Sequence, residues 1–425
     1  MVKHLLTGRP VLISCAQEMK MNRIRIQTIA FIVIMAASSQ FFCRASSPNN
    51  ATVTFAGDII MHIPVKNSAF QHNSSADGGN ESLNNNGFDF LFEKIRSTMQ
   101  KSNIVQGNME FPVSPPFQSK PWIFNSPPHV LGALKNAGFT MVTIANNHIL
   151  DQSVQGLGDT MTYLQKYGLD FVGAHTGEEE SRAGLVREVR GIRIGFMAYT
   201  GVLNYGMPVK RKTGYLNWFY DREKIIGDIK DIRGRCDYLV MTVHTGNEYA
   251  TTPLKRDAEL MKDYLEAGVD CIVGHHPHVL QPVEKVRTTD GRQCFIFYSI
   301  GNFISNQSSQ VIMPGAAGAL STRDAVLVNL HLDKKDESVA ARFSIIPITT
   351  INLRNPVTGK RQIQTRLFID ELNKKKSLLT GLSGIQQKKT EKEIAELEKR
   401  LRTMRTVLFK NSVLPDIEMK DGSGE

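Results

Sequence analysis

Cys271-Ile272-Val273-Gly274-His275-His276-Pro277-His278 is the stretch on which the reading of this chain turns. A short apolar, β-branched run reads as a buried strand, and at a glycine it gives way to three imidazoles within four residues. On an extended backbone successive side chains alternate faces, which predicts His276 and His278 on one side and His275 on the other. Neutral imidazole is the commonest protein ligand for Zn, Mn, Fe or Ni, so the cluster points to a metal ion. Taken by itself, the stretch also fits a surface turn decorated with histidines.

The same pattern recurs on both sides of it. Apolar runs rich in β-branched and aromatic residues at 52–56, 140–145, 192–199, 238–243, 270–273 and 294–300 predict strands. Between several of them lie segments of helical spacing, one carrying Leu157, Met161, Leu164 and Tyr167 and another Leu260, Tyr264 and Leu265. Such alternation predicts an α/β domain with at least one largely buried sheet. Nearly every strand ends in small or polar residues: Gly57-Asp58, Asn146-Asn147-His148, His244-Thr245-Gly246, Gly274-His275-His276 and Gly301-Asn302. Sites in α/β sheets form beyond the carboxyl ends of strands, so these five ends predict one shared site. Each end alone also fits a turn residue or a helix cap. Together, Asp58, Asn147, His148, His244, His276 and His278 make a mixed set suited to a divalent ion such as Zn, Mn or Fe.

Composition narrows the class. At 425 residues, 41% hydrophobic and 22% charged, the body is a globular chain of one large or two domains, neither membrane-embedded nor wholly disordered. The net charge of +10 favours acidic partners, yet there is no zinc finger, RNP-type strand or phosphate loop, so nucleic acid is not an expected partner. Arg23 and Arg25 precede the apolar run from Ile29 to Ala37, which reads as an export signal, too short for a comfortable span of about 20 residues. Residues 1–45 are therefore expected to be a signal peptide or membrane anchor, with Met21 as an alternative start. Cleavage near Ala45, lipidation at Cys43 and a retained anchor are the three outcomes weighed, although Gln40-Phe41-Phe42 lacks the small residues usual before a lipidated cysteine. Export leaves Cys236, Cys271 and Cys294, an odd number with no disulfide framework, the last two in core-like runs.

Two stretches read as loops. Residues 66–88, rich in Asn, Ser and Gly, predict a flexible loop near the site. Residues 202–217 carry Lys210-Arg211-Lys212, either a solvated loop or a basic rim for an anionic substrate. The main domain is expected over 46–350 and a C-terminal extension over 351–425. Within the extension, Thr390 and Glu393 fit a capping box opening an amphipathic helix over about 391–408. Its stripe of Ile394, Leu397, Leu401, Met404 and Leu408 suits packing onto the domain or onto a second copy, and suits a membrane less, because the polar face mixes acidic and basic residues.

Six ordered segments carry a resemblance: Thr54-Phe55-Ala56-Gly57-Asp58, Gly107-Asn108-Met109-Glu110-Phe111-Pro112, Ala145-Asn146-Asn147-His148-Ile149-Leu150-Asp151, His244-Thr245-Gly246-Asn247-Glu248-Tyr249, Gly274-His275-His276-Pro277-His278-Val279-Leu280-Gln281 and Tyr298-Ser299-Ile300-Gly301-Asn302-Phe303. In order and spacing the chain resembles the CapA family of poly-γ-glutamate capsule biosynthesis proteins, related to the calcineurin-like metallophosphoesterases. The resemblance implies a four-layer α/β/β/α sandwich of the metallophosphoesterase type. It implies Asp58, Asn147, His244, His276 and His278 as ligands of one or two ions of Mn, Zn or Fe, with Glu110 standing in for the bridging aspartate. His148 is then the group beside the reacting bond, Glu110 and Glu248 are further candidates for proton transfer, and Asn108, Asn146, His275 and Asn302 are candidate substrate contacts.

Two departures stand out. The phosphoesterases begin with Asp-x-His, but here Ile60 follows two after Asp58, and the nearest histidine is His62. His244-Thr245 also replaces the family's usual His-Trp. The resulting expectation is an exported periplasmic or cell-surface protein, possibly anchored, that acts as a metal-dependent hydrolase or transferase on an anionic polymer or phosphoester. The alternative is a non-catalytic protein that binds poly-γ-glutamate and aids its export or retention. Envelope capsule-synthesis proteins are the expected partners, with membrane contact through the N-terminus.

Overall fold

The computed structural model describes residues 49–73, 85–175, 177, 184–204, 214–307, 322–410 and 414–420. The expected signal or anchor over 1–45, with Cys43 and its membrane contact, and the Lys210-Arg211-Lys212 run lie outside these residues. In chain order the strands are β1 (Asn50–Ile59), β2 (Ile104–Met109), β3 (Met141–Thr143), β4 (Asp170–Val172), β5 (Leu185–Val189), β6 (Ile192–Thr200), β7 (Tyr238–His244) and β8 (Cys271–His275). There follow β9 (Val283–Arg287), β10 (Gln293–Phe297), β11 (Asn302–Ile304), β12 (Asp324–Lys335), β13 (Ser338–Arg354), β14 (Arg361–Leu367) and β15 (Ile417–Met419). The helices are α1 (Ile63–Phe70), α2 (Asp89–Phe92), α3 (Arg96–Met99), α4 (His129–Ala137), α5 (Ser153–Tyr167), α6 (Arg222–Arg233), α7 (Lys255–Ala267), α8 (Phe368–Leu379) and α9 (Gly384–Phe409).

Two sheets form. One runs β14-β13-β12-β1-β2-β3-β4, with β11 beside β1 and β15 beside β13; the other runs β5-β6-β7-β8-β10-β9. The period of two along the strands explains why they stack face to face. In β6, Ile192, Ile194 and Phe196 enter the core shared with Val53 and Phe55 of β1, while Met197 and Tyr199 point the other way, towards α6 and α7. Strands β7, β8 and β10 alternate likewise, with Val240, Val273 and Phe297 inside and Leu239, Ile272 and Ile296 outside. The first sheet covers its outer face with α1, α2, α4 and α5 through Val65, Phe92, Leu131 and Leu157. Helix, sheet, sheet and helix make the four layers, and apolar residues on both strand faces are the physical requirement for burying both sheets. Cys236, Cys271 and Cys294 are free and buried.

The structure corrects the sequence reading at four places. Residues 66–88 are not one loop: Ile63–Phe70 form a helix, and Lys66 in it is buried, with Nζ donating to Ser119 Oγ at 2.6 Å and to the Asn125 carbonyl at 2.7 Å. Residue 350 is no boundary, since it lies inside β13, and β14 and β15 belong to the same sheet as β1. The C-terminal helix starts at Gly384 and not near 391, so Thr390 is a buried interior residue and no cap, and Glu393 pairs with Lys375. The expected strand 140–145 is paired only over Met141–Thr143, because the chain then turns into the site.

The apolar stripe of α9 lies against the inter-sheet core through Met404 and Leu408. Arg400 on the same helix donates to both oxygens of Asp324, one at 2.9 Å, and to Thr349 Oγ1 at 3.0 Å. Asp324 is 2% exposed, so Arg400→Ala leaves a buried carboxylate without its cation. A loss of about 3–5 kcal/mol is expected. Chemical denaturation of the variant tests this, and a loss under about 1 kcal/mol would show that α9 is not integral to the fold.

Among the described residues no helix is long and apolar enough to cross a membrane.

Candidate metal centre

Strand register assembles the site. Asp58 at the end of β1 stands opposite Asn302 of β11 on one side and Asn108 of β2 on the other. In the facing sheet, His244 at the end of β7 stands opposite His275 at the end of β8. Two glycines permit the crowding. A Cβ on Gly57 would sit 1.9 Å from the Gly301 carbonyl oxygen, and one on Gly274 2.0 Å from that of Tyr298, so only glycine fits at either point.

His276 and His278 do share a side, both meeting Glu110, but not on an extended backbone. β8 ends at His275, and His276 and His278 adopt left-handed backbone with φ of 94° and 59°. Such conformations cost about 1–3 kcal/mol each for non-glycine residues and concentrate at functional sites. His276 and His278 meet at Glu110, while His275 and His278 flank Asp58. His275 Nδ1 lies 3.0 Å from Asp58 Oδ1 but is not aligned for a hydrogen bond. His278 Nδ1 lies 3.0 Å from both Asp58 Oδ2 and Asn302 Oδ1. Both partners are acceptors, so Nδ1 carries a proton, and Nε2, 3.9 Å from Glu110 Oε1, is the nitrogen whose lone pair becomes available when the ring is neutral.

Glu110 is the centre of this arrangement. Both its carboxylate oxygens are buried without a hydrogen-bond partner, as is His276 Nδ1. Glu110, His276 and His278 form one group of ligand atoms within 4.8 Å of one another, and Asp58, Glu110 and His244 form a second. A buried carboxylate with no donor is strongly unfavourable unless a cation neutralises it, so this donor set fits a divalent ion. Burial pushes the Glu110 carboxyl well above its usual range, with the His278 charge opposing and Asp58 reinforcing. Asp58 goes the other way: burial raises it, but the imidazoles of His275 and His278 hold it well below the usual carboxylate range. Burial and the His278 charge pull His276 down to about 3, whereas the carboxylates of Glu110 and Asp58 overcome burial and lift His278 to about 9. Burial and neighbouring His276 keep His244 well below its ordinary value.

The remaining expected residues fall into three groups. Asn147 joins the cluster, its Oδ1 2.9 Å from His244 Nε2. Asn108, Asn146, His275 and Asn302, expected to contact substrate, are buried and face their neighbours instead. Asn108 Nδ2 donates to Asp58 Oδ1 at 2.8 Å, Asn146 Nδ2 to the Met109 carbonyl at 2.9 Å, and Asn302 Nδ2 to the Thr322 carbonyl at 2.9 Å. Asn108 and Asn302 thereby hold Asp58 and His278 in place, the latter through Asn302 Oδ1 at 3.0 Å. Glu248 does not join the buried cluster and is exposed.

His148 stands at the edge. Its Nδ1 lies 2.8 Å from Asp151 Oδ2, and its ring stacks on Phe124 at 4.1 Å. A proton on Nδ1 is directed at this carboxylate, with Nε2 as the second ring nitrogen. Asp151 and Asn204, which lies 3.2 Å from the same nitrogen and accepts from Asn147 Nδ2 at 2.9 Å, were not singled out from the sequence. The three-residue spacing of His148 and Asp151 was the available signal.

Fold and site together define a four-layer α/β/β/α protein with a buried His, Asp and Glu cluster fit for divalent metal. A family model described as bacterial capsule synthesis protein PGA_cap matches residues 52–307, and the chain belongs to that family. It is 30% identical to the PGA biosynthesis protein CapA of Bacillus subtilis (strain 168) over 84% of this chain and 89% of that one. It is 32% identical to the capsule biosynthesis protein CapA of Bacillus anthracis over 72% and 70%. A solved structure, the calcineurin-like phosphoesterase YfkN from Bacillus subtilis, aligns at 12% identity and a TM-score of 0.37, over 84% of this chain and 99% of that one.

Proposed function

We propose that the protein acts in poly-γ-glutamate capsule biosynthesis as an exported, metal-dependent hydrolase or transferase that cuts or transfers the anionic polymer. The observation that carries this is Glu110, a buried carboxylate with no protein donor, ringed by His244, His276 and His278. The names of the Bacillus relatives support the polymer, and the apolar run after Arg23 and Arg25 supports export to the periplasm or cell surface. Capsule-synthesis proteins of the envelope are the partners this reading implies.

In this reading Glu110, His276 and His278 would hold one ion, and Asp58, Glu110 and His244, with Asn147 beside them, could hold another. When bound, Mn, Zn or Fe stabilises developing negative charge and activates water. The chain's own residues do the rest. Asp58 and Asn302 fix the His278 tautomer so that Nε2 faces the ion. His148, held by Asp151, transfers a proton to the leaving group from Nε2.

The test is incubation of the Mn- or Zn-loaded full chain with poly-γ-glutamate and, separately, with a chromogenic phosphomonoester. Shortening of the polymer is the expected result. Polymer bound but unchanged in length would establish a binding protein instead, and turnover of the monoester alone would establish a phosphoesterase.

A further inference from the structure

Beyond the paired ends of β1 and β11 the register continues through side chains. Asp58 faces Asn302 and Ile59 faces Ile304, and two residues further on the Asn306 backbone N–H donates to His62 Nδ1 at 3.2 Å. The Asn306 side chain is engaged as well: Oδ1 accepts from Arg361 Nη1 at 3.0 Å and from Asn352 Nδ2 at 2.9 Å. One residue therefore braces an imidazole and a guanidinium that are far apart in sequence.

The chemistry of the two groups follows. A backbone N–H only donates, so His62 Nδ1 is the acceptor and the ring proton sits on Nε2. Burial, then the charges of His278 and His148, pull His62 down to about 4, which keeps the ring neutral with Nε2–H as a donor. The ring meets Phe124 edge-on at 5.1 Å, and Phe124 stacks on His148, so His62 and His148 pack on the same aromatic ring. Among the described residues no group accepts from His62 Nε2, and no carboxylate lies within 4.0 Å of the Arg361 guanidinium. Burial, then the Arg400 and Arg361 charges, pull neighbouring Arg323 below its ordinary value, so a second cation stands close by.

We propose that His62 and Arg361, braced by Asn306, form a carboxylate-binding subsite beside the metal centre that grips an α-carboxylate of the polymer away from the reacting bond. A guanidinium fork and a neutral imidazole N–H are both pure donors, and each suits a carboxylate oxygen. This inference rests on the polymer reading above, since a small phosphomonoester carries no second anionic group to fill the subsite.

The experiment is calorimetric binding of a γ-linked glutamate tetramer to the metal-loaded full chain, in parallel with the same tetramer amidated at its α-carboxylates. Loss of a charge-assisted bond predicts about 10- to 100-fold weaker binding of the acid tetramer by Arg361→Ala, and a smaller loss by His62→Phe. Metal content stays unchanged, and the amidated tetramer binds both variants as it binds wild type. Arg361→Lys keeps the charge without the fork and is expected to fall between. Equal binding of the acid tetramer by wild type and both variants overturns the subsite while the polymer reading stands, as does equal loss of acid and amidated tetramers. Failure of wild type itself to bind the acid tetramer overturns the polymer reading and the subsite with it.

Discussion

Glu110→Gln is expected to abolish tight binding of a divalent ion while leaving the protein folded. The carboxylate is shared by both groups of ligand atoms, so its loss weakens each at once. The amide keeps the volume but supplies no negative charge, and an affinity loss of at least about 100-fold, or some 2.7 kcal/mol, is expected. Wild type at a thousandfold excess of metal over Kd gains about 4 kcal/mol of stability, and the variant gains little. Elemental analysis and thermal unfolding with and without Mn or Zn provide the measurement. Equal metal content and equal stabilisation in the two proteins would remove Glu110 from the metal centre.

The same centre sets a pH dependence. His278 holds its proton up to about 9 in the metal-free protein, and an ion takes the place of that proton. Apparent affinity therefore rises with pH, about tenfold per unit, until about pH 9. The sign for stability is opposite. With its folded value raised above the ordinary 6.5, His278 stabilises the metal-free fold fully below pH 6.5, and that contribution is lost as pH rises through about 9.

His148→Ala is expected to lower turnover of the polymer by about 100- to 10,000-fold, the usual range for a positioned acid or base. Metal content should not change, because His148 belongs to neither group of ligand atoms. A fall in kcat with KM nearly constant is the expected signature. Asp151→Asn retains the ring but not its carboxylate partner, and should lower kcat less than His148→Ala does. A variant that loses metal or unfolds in step with its activity would mark His148 as a structural residue.

Much of this was legible in the sequence because it depends on local pattern. Apolar runs of period two ending in Gly, Asp, Asn or His needed no tertiary knowledge to predict an α/β domain with one site at its strand ends. Asp58, Asn147, His244, His276 and His278 are brought together where those ends meet. The missed parts depend on distant partners. β12, β13 and β14 continue the first sheet past residue 350 because their outward neighbours are strands and helices, which no local composition shift reports. The capping box at Thr390 failed because a preceding turn from Gly384 was helical too, and burial of Thr390 against the domain outweighed its capping preference.

What the sequence by itself determined is the alternation of buried strands with helices and the chemistry gathered at their carboxyl ends, since side-chain period and residue type are properties of short segments. Only the tertiary structure decided that His275 and His278 flank Asp58, that Asn108 and Asn302 hold Asp58 and His278, and that Glu110 is left without a donor. Those outcomes arise from register between strands far apart in the chain and from exclusion of water between two packed sheets, which fix orientation and charge only once the chain has folded.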